Sequence, residues 1–449
     1  MRRLFVFFLC IVMMMSSLAG CGNTTSTSTV EIPKAATEEP VTTEAAEETP
    51  PVFNGEKSEV LVWLYAADSM DAYVNESFYE RIQVALPQYN VTVEIITGTG
   101  EDMEKKYMAS KEQGIIPDAM YVILSTFGNF GTKGEWLVLD DYMQDWEGAE
   151  DIMRASLAMG QLSGSYSGIG STPAPSVLVY RTDYFEEAGL DPKAPPTNWQ
   201  ELEEYALKLT KKGANGELMV AGLDIPTTDN YGNFSFPFMR MNGALVVDEA
   251  TSLPAFTELE VIETLEYLSR LSSKGISYSY NWQDAANIPF LKGNSAMSFI
   301  NLDRYMQLIK EQPELKDKIS IALPMGDELV TSFCGYRMMT IPATAKNPDG
   351  GWEVIKFIMS KEEMQLRVEN YGVIPVRKSL METYEALHPE IGRSVLETVS
   401  VGKGAFLVPW VSTMYQYYGP AYEAVMKGEK TPVQAMEEVQ NSILSEINP

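Results

Sequence analysis

Histidine is almost missing: His388 is the single one in 449 residues. That excludes most zinc sites, which take several His or Cys ligands, and every Ser-His or Cys-His scheme that needs a second, better placed imidazole. Basic residues are scarce too. Lys and Arg number 34 against 62 Asp and Glu, a formal net charge of −28. This argues against a nucleic-acid partner, whose phosphates must be neutralised by Lys and Arg; an acidic surface serves solubility. Beyond residue 20 no stretch stays apolar for the ~20 residues that a spanning helix needs. What is present is an ordinary hydrophobic share, 45%, and length enough for two or three lobes with real cores.

Arg2 and Arg3 precede the apolar run Leu4 to Met15, and small residues follow. These are the parts of a signal peptide, residues 1–20. Leu18-Ala19-Gly20-Cys21 looks like a lipobox, so cleavage before Cys21 and acylation of Cys21 are expected. Cleavage removes Cys10 and leaves Cys334 as the one free thiol, so no intramolecular disulfide is expected. Residues 21–57 are mostly Thr, Ser, Glu, Pro and Ala, which cannot bury enough surface to offset chain entropy. They are expected to be a disordered tether.

The fold is expected to begin near Glu59. Val60 to Leu64 has the length and character of a strand, Tyr73 to Leu86 of a helix, and Val91 to Ile96 of a second strand, a β-α-β unit with parallel strands. A helix over Glu101 to Gln113 and a strand over Pro117 to Leu124 follow. Ligands of open α/β sheets sit beyond the carboxyl ends of strands. Trp63, Tyr65 and Asp68, and the loop carrying Ser125, Thr126 and Asn129, are therefore cleft candidates.

Further on, a loose stretch with Gly168, Gly170, Pro173 and Pro175 leads into a short buried strand, Val177 to Tyr180. Asp183 to Ala188 is a short helix, and Asn198 or Thr197 caps another, with Leu202, Tyr205, Ala206 and Leu209 on its buried face. Asp229 to Gly243 (DNYGNFSFPFMRMNG) reads as a loop entering a helix and offers Tyr231, Asn233 and Phe234. Trp282 lies in a polar turn, and Asn301 and Asp303 leave a strand. Tyr336 precedes a strand over Arg337 to Ile341. Gly350-Gly351 should weaken the first turn of a helix by about 1 kcal/mol each. Trp410 and Tyr415 stand at the start of a Tyr-rich helix.

Several ordered motifs run through the chain: Val179-Tyr180-Arg181-Thr182-Asp183-Tyr184-Phe185, then Ala188-Gly189-Leu190, Pro195-Pro196 and Trp199-Gln200-Glu201-Leu202. Phe290 to Met297 (FLKGNSAM), Tyr371 to Arg377 (YGVIPVR) and Gly428 to Ala435 (GEKTPVQA) follow. Together they resemble the extracellular solute-binding proteins of ABC transporters, the carbohydrate-binding family typified by maltose-binding protein. The resemblance covers nearly everything from residue 59 to the end. It implies an α/β fold of the two-lobed periplasmic-binding-protein type (type II), with crossings near 182, 319 and 362. The lobes would be 58–182 with 320–362, and 183–319 with 363–449. It also implies an interlobe cleft in which sugar faces stack on aromatic rings and hydroxyls bond polar side chains. The permease of an ABC importer would be the partner and the outer face of the cytoplasmic membrane the location. No cofactor, metal or catalysis is implied, and the protein would act as a monomer.

Other assignments weigh less. Trp352, Tyr180 and Phe185 read as core. Asp140-Asp141 and Glu362-Glu363 are adjacent pairs whose side chains diverge, so they read as solvated surface. Gly168-x-Gly170 lacks the third glycine of a dinucleotide site. Tyr417-Tyr418 resembles the tyrosine pair of ferric-ion binders but has no acidic neighbour nearby. Cys334 has no placed base. Rival functions are binding of another polar solute (a polyamine or a peptide), ligand sensing for a membrane receptor, and a surface carbohydrate-active enzyme. The last needs two carboxylates about 5–10 Å apart across a cleft, for which Asp224 with Asp303 is the available pair.

Overall fold

The computed structural model describes residues 53–65, 70–248 and 251–447. The leader, Cys21, nearly all of the tether and Asp68 lie outside the described residues.

Strand β1 (Ser58–Tyr65) is apolar on both faces, and Val60, Val62, Trp63 and Leu64 are all buried. Such a strand belongs inside a parallel sheet covered on both sides. It pairs in parallel with β2 (Tyr89–Ile96) and with β3 (Ala119–Ile123). The helix expected over Tyr73 to Leu86 is interrupted. A single turn, Met70–Tyr73, precedes α1 (Glu76–Ala85), which starts where the Asn75 side chain accepts the Phe78 N–H at 3.2 Å. Helix α2 (Gly100–Glu112) opens with a capping box, in which Thr99 and Asp102 each take the other's backbone N–H. The expected loop at Ser125 to Asn129 is instead helix α3 (Leu124–Gly131). No turn residue separates it from β3, and Leu124, Phe127 and Phe130 bury one face at helical spacing.

The loose stretch expected before Val177 is also regular. It is the first half of β4 (Gly168–Arg181), whose residues 168–175 pair antiparallel with β7 (Ser332–Thr340). Gly168 permits the approach, since a Cβ there would lie 2.7 Å from the Phe127 ring and 2.9 Å from the Met339 carbonyl oxygen. The second half of β4 pairs with β5 (Met297–Asn301) and β6 (Ile319–Ile321). The partners of β4 thus change between Pro175 and Ser176. The sheet runs β2-β1-β3-β7-β4-β5, with β6 attached to β4 and a short β8 (Gly402–Lys403) to β7.

Helix α6 (Leu302–Glu311) packs on β4, while α4 (Ser235–Met241) packs on β7 and on α5 (Leu259–Ser273). Helix α7 (Lys361–Tyr371) belongs elsewhere. Its Glu363 carboxylate accepts the Tyr73 hydroxyl at 2.7 Å and the Arg81 guanidinium at 2.6 and 2.8 Å. Its Arg367, buried, donates to Thr172 Oγ1 at 2.9 Å. One expectation is corrected by these bonds: Glu363 is 4% exposed and not solvated surface. Helix α8 (Gly392–Val401) still packs on β4 and β7. Only beyond it do α9 (Val411–Met426) and α10 (Pro432–Ile447) pack on α5, around Phe236, Phe256, Trp410, Tyr418 and Tyr422.

Trp352, Tyr180 and Phe185 are core residues, as expected. The pair Gly350-Gly351 has a packing reason: a Cβ on Gly351 would stand 1.9 Å from the Asp118 carbonyl oxygen. The helix Pro348–Ile358 therefore lies at backbone distance from the start of β3. An alanine would gain helix propensity and lose that contact.

Candidate functional site

The carboxyl end of β1, the first turns of α2 and α3, the partner change in β4, the loop before α4, the start of α6, strand β7 and the start of α9 converge on a cavity of about 790 Å³. Tyr65 is the last residue of β1. Its hydroxyl donates to the Gly98 carbonyl at 2.8 Å, and the Arg337 guanidinium lies 5.8 Å from its ring centroid. Ser125 and Asn129, four residues apart on α3, share the face turned to the cavity. Asn129 donates to Glu104 at 2.8 Å and accepts from Lys133 at 2.8 Å, which fixes its amide. Asn301 accepts the Ser176 hydroxyl at 2.9 Å. Asp303 follows in the first turn of α6. On another wall Tyr231, 49% exposed, meets Tyr415 of α9 edge to face, with ring centroids 5.2 Å apart.

Nine of the expected residues therefore line one cavity: Tyr65, Ser125, Asn129, Tyr231, Asn233, Asn301, Asp303, Tyr336 and Tyr415. Tyr336 is fully buried behind the wall, and burial holds its hydroxyl pKa well above the ordinary value. Five others lie off the wall in packed surroundings. Trp63 is enclosed by the two covered faces of β1, with Lys106 Nζ 4.6 Å from its ring centroid. Thr126 is on the inner face of α3. Phe234 packs on Phe238 at 5.0 Å and Trp282 at 5.7 Å. Trp410 is buried with its indole N–H on the Ser252 carbonyl at 2.9 Å. Asp68 lies outside the described residues.

Sequence reasoning missed Glu101, Glu104, Thr172, Arg337, Tyr371 and Ser412, all of which line the cavity. Arg337 carried a usable signal, a lone charge inside the apolar strand FCGYRMMT. Glu101 and Glu104 carried none, because acids in the first turn of a helix are ordinary. The wall is acidic: Glu101, Glu104 and Asp303 against Arg337.

Asp224 does not reach this wall. It is fully buried, and loss of solvent lifts its carboxyl from 3.8 to about 7. It therefore cannot face Asp303 across a substrate, and the carboxylate pair nominated for hydrolysis is not formed. Cys334 is likewise sealed, and burial pushes its thiol up to about 12, the opposite of an activated nucleophile. Among the described residues no group of three or more His, Cys, Asp or Glu could hold a metal ion.

A mixed α/β body with a polar, aromatic-lined cleft at strand ends is the form of a solute receptor. The family model for bacterial extracellular solute-binding proteins matches residues 81–390, and the chain belongs to that family. A Brucella abortus protein assigned as a binding protein is 26% identical over 244 residues, 54% of this chain and 57% of that protein, so the chain spans little more than half of it. A Sinorhizobium fredii protein assigned as an amino-acid ABC transporter periplasmic-binding protein is 22% identical over 422 residues, 90% of this chain and 92% of that one. Among solved structures, the sugar-binding protein MalE of Xanthomonas citri superposes with a TM-score of 0.76 at 14% identity, covering 87% of this chain and 98% of that one. The fold is thus the two-lobed one of maltose-binding-protein-like receptors.

Proposed function

We propose that this protein is a lipid-anchored substrate-binding protein of an ABC importer, which takes up a sugar or short oligosaccharide between two lobes and hands it to a membrane permease. The observation that supports this best is the make-up of the cavity wall. Tyrosine rings from both sides (Tyr65, Tyr231, Tyr415) offer faces for the apolar side of a sugar ring. Ser125, Asn129, Asn233, Asn301, Asp303 and Arg337 offer donors and acceptors for its hydroxyls. A cavity of about 790 Å³ suits a small ligand. Three carboxylates against one guanidinium disfavour phosphorylated or uronic sugars, so a sugar held here carries no negative charge.

The change of strand partners supports a lobe division of 58–175 with 332–401 and 176–331 with 402–447. A ligand touching both walls only when they approach each other would bias the lobes toward closure. Cys21 would hold the monomeric receptor on the outer face of the cytoplasmic membrane. No cofactor or bond-making step belongs to this reading. One observation favours a second one: the acidic wall would also suit a cationic solute such as a polyamine, held by Glu101, Glu104 and Asp303 with the tyrosines as cation–π partners.

The test is calorimetric titration of the mature protein with neutral mono- and oligosaccharides, spermidine and sn-glycerol 3-phosphate. Saturable one-to-one binding of an unmodified neutral sugar, with no product after long incubation, is the expected result. Heat from spermidine alone would transfer the reading to the cationic solute. Binding of the glycerol phosphate would refute the charge argument.

A further inference from the structure

The loop Asp229 to Ser235 brings Tyr231 and Asn233 to the cavity wall, and a buried carboxylate holds it. Asp229 is fully buried. Its Oδ2 accepts the Phe234 N–H at 3.1 Å, the Ser235 N–H at 2.9 Å and the Ser235 hydroxyl at 2.8 Å. The Ser235 hydroxyl has one proton and gives it to Asp229. The Tyr418 hydroxyl, 2.5 Å from Ser235 Oγ, is then the donor in that contact. The chain of donors has a direction, Tyr418 to Ser235 to Asp229, and the carboxylate is its sink.

Tyr418 sits on α9. One turn earlier on the same helix, Tyr415 packs against Tyr231. Gly419 lets the helix backbone approach, since a Cβ there would lie 3.0 Å from the Asn230 Cα. Tyr422 donates to the Pro226 carbonyl at 2.9 Å. Residues 415, 418, 419 and 422 fall on one helical face, and that face grips the loop along its length. A desolvated carboxylate is costly, and here three buried donors that would otherwise lack an acceptor offset that cost. Its place between the two elements that form one cavity wall gives it a task.

We propose that Asp229 is a positioning residue for the cleft: through Ser235 and Tyr418 it locks the loop onto α9 and so sets where Tyr231 and Asn233 stand. The inference rests on the cavity being the ligand site. The experiment has two arms on the mature protein. The first is hydrogen–deuterium exchange without any ligand. In Asp229→Asn the amides of 230–236 should exchange at least tenfold faster, while those of α5 stay unchanged. The second is titration with the oligosaccharide that binds the wild-type protein most tightly. Asp229→Asn should weaken it by up to the fivefold that loss of the Tyr231 ring costs, but less than twofold in a Tyr231→Ala background, because the ring it positions is gone. A merely structural role would produce equal losses in both backgrounds. Unchanged exchange over 230–236, or equal losses, overturns the proposal. Should Asp229→Asn fail to fold, Ser235→Ala and Tyr418→Phe leave the backbone packing intact and carry the same comparisons. If no sugar binds the wild-type protein, the sugar reading falls, and the exchange arm alone decides this one.

Discussion

Replacing Asp224 by asparagine should stabilise the protein, and by more the higher the pH. Asp224 is fully enclosed, and its Oδ2 accepts the Phe290 N–H at 3.0 Å. Burial outweighs the help of that N–H and of the Ser295 and Ser298 hydroxyls, lifting the carboxyl from 3.8 to about 7. The folded protein therefore binds this proton more tightly than the unfolded chain. The group's favourable contribution is present below pH ~4 and is lost as pH rises toward the folded value. Each pKa unit is worth about 1.4 kcal/mol, so the full loss is about 4 kcal/mol by pH 8; structural relaxation would reduce it, and about 2–4 kcal/mol is the expected range. Asn keeps an oxygen for the Phe290 N–H and carries no charge. Urea unfolding of both proteins at pH 5, 6, 7 and 8 reads the difference directly, with other titrating groups cancelling. The gap should widen from pH 5 to 7 and level off between 7 and 8. A gap constant to within about 0.5 kcal/mol over that range would show that the carboxyl has no proton linkage and would refute the reasoning.

Glu363→Gln should cost about 2–4 kcal/mol in urea unfolding, because it leaves the Arg81 guanidinium and the Tyr73 hydroxyl without the carboxylate that joins them. Gly351→Ala should destabilise by about 1–3 kcal/mol despite its better helix propensity, since the new Cβ meets the Asp118 carbonyl; thermal unfolding checks it. Tyr231→Ala should weaken sugar binding by about 1 kcal/mol, some fivefold, with the melting temperature little changed, because the ring is half exposed; calorimetry and a thermal scan separate the two effects.

Local chemistry was the readable part of the fold. The strands β1 to β3 follow from apolar runs. The helix Trp199–Leu209 follows from its cap, and Asn198 does accept the Glu201 N–H at 2.9 Å. What escaped depends on distant partners. Gly168 to Pro175 looks loose in isolation and becomes a strand because β7 supplies its ladder. Glu363 looks like surface until Tyr73 and Arg81 close on it from far away in the chain. At the site, residue type located the loops but did not sort the rings. Trp63, Phe234, Trp282 and Trp410 are the kind of side chain that stacks sugar, and the same apolar surface drives them into packed interiors. Tyr65, Tyr231 and Tyr415 reach the cavity because of where their elements stop or turn, and composition does not record that.

The position of β7 has a consequence for synthesis. It fills the sheet between β3 and β4, yet it lies roughly 200 residues after β3 in the chain, which at translation rates of about 5–20 residues per second is a delay of about 10–40 s. Through that interval β3, with Met120, Tyr121 and Val122 meant for the interior, has an unfilled side, and open strand edges invite foreign pairing. A chain ended near residue 320 would hold β1, β2, β3, the whole of β4 and β5, every strand but one of the main order, and the missing one is the strand that joins the two groups.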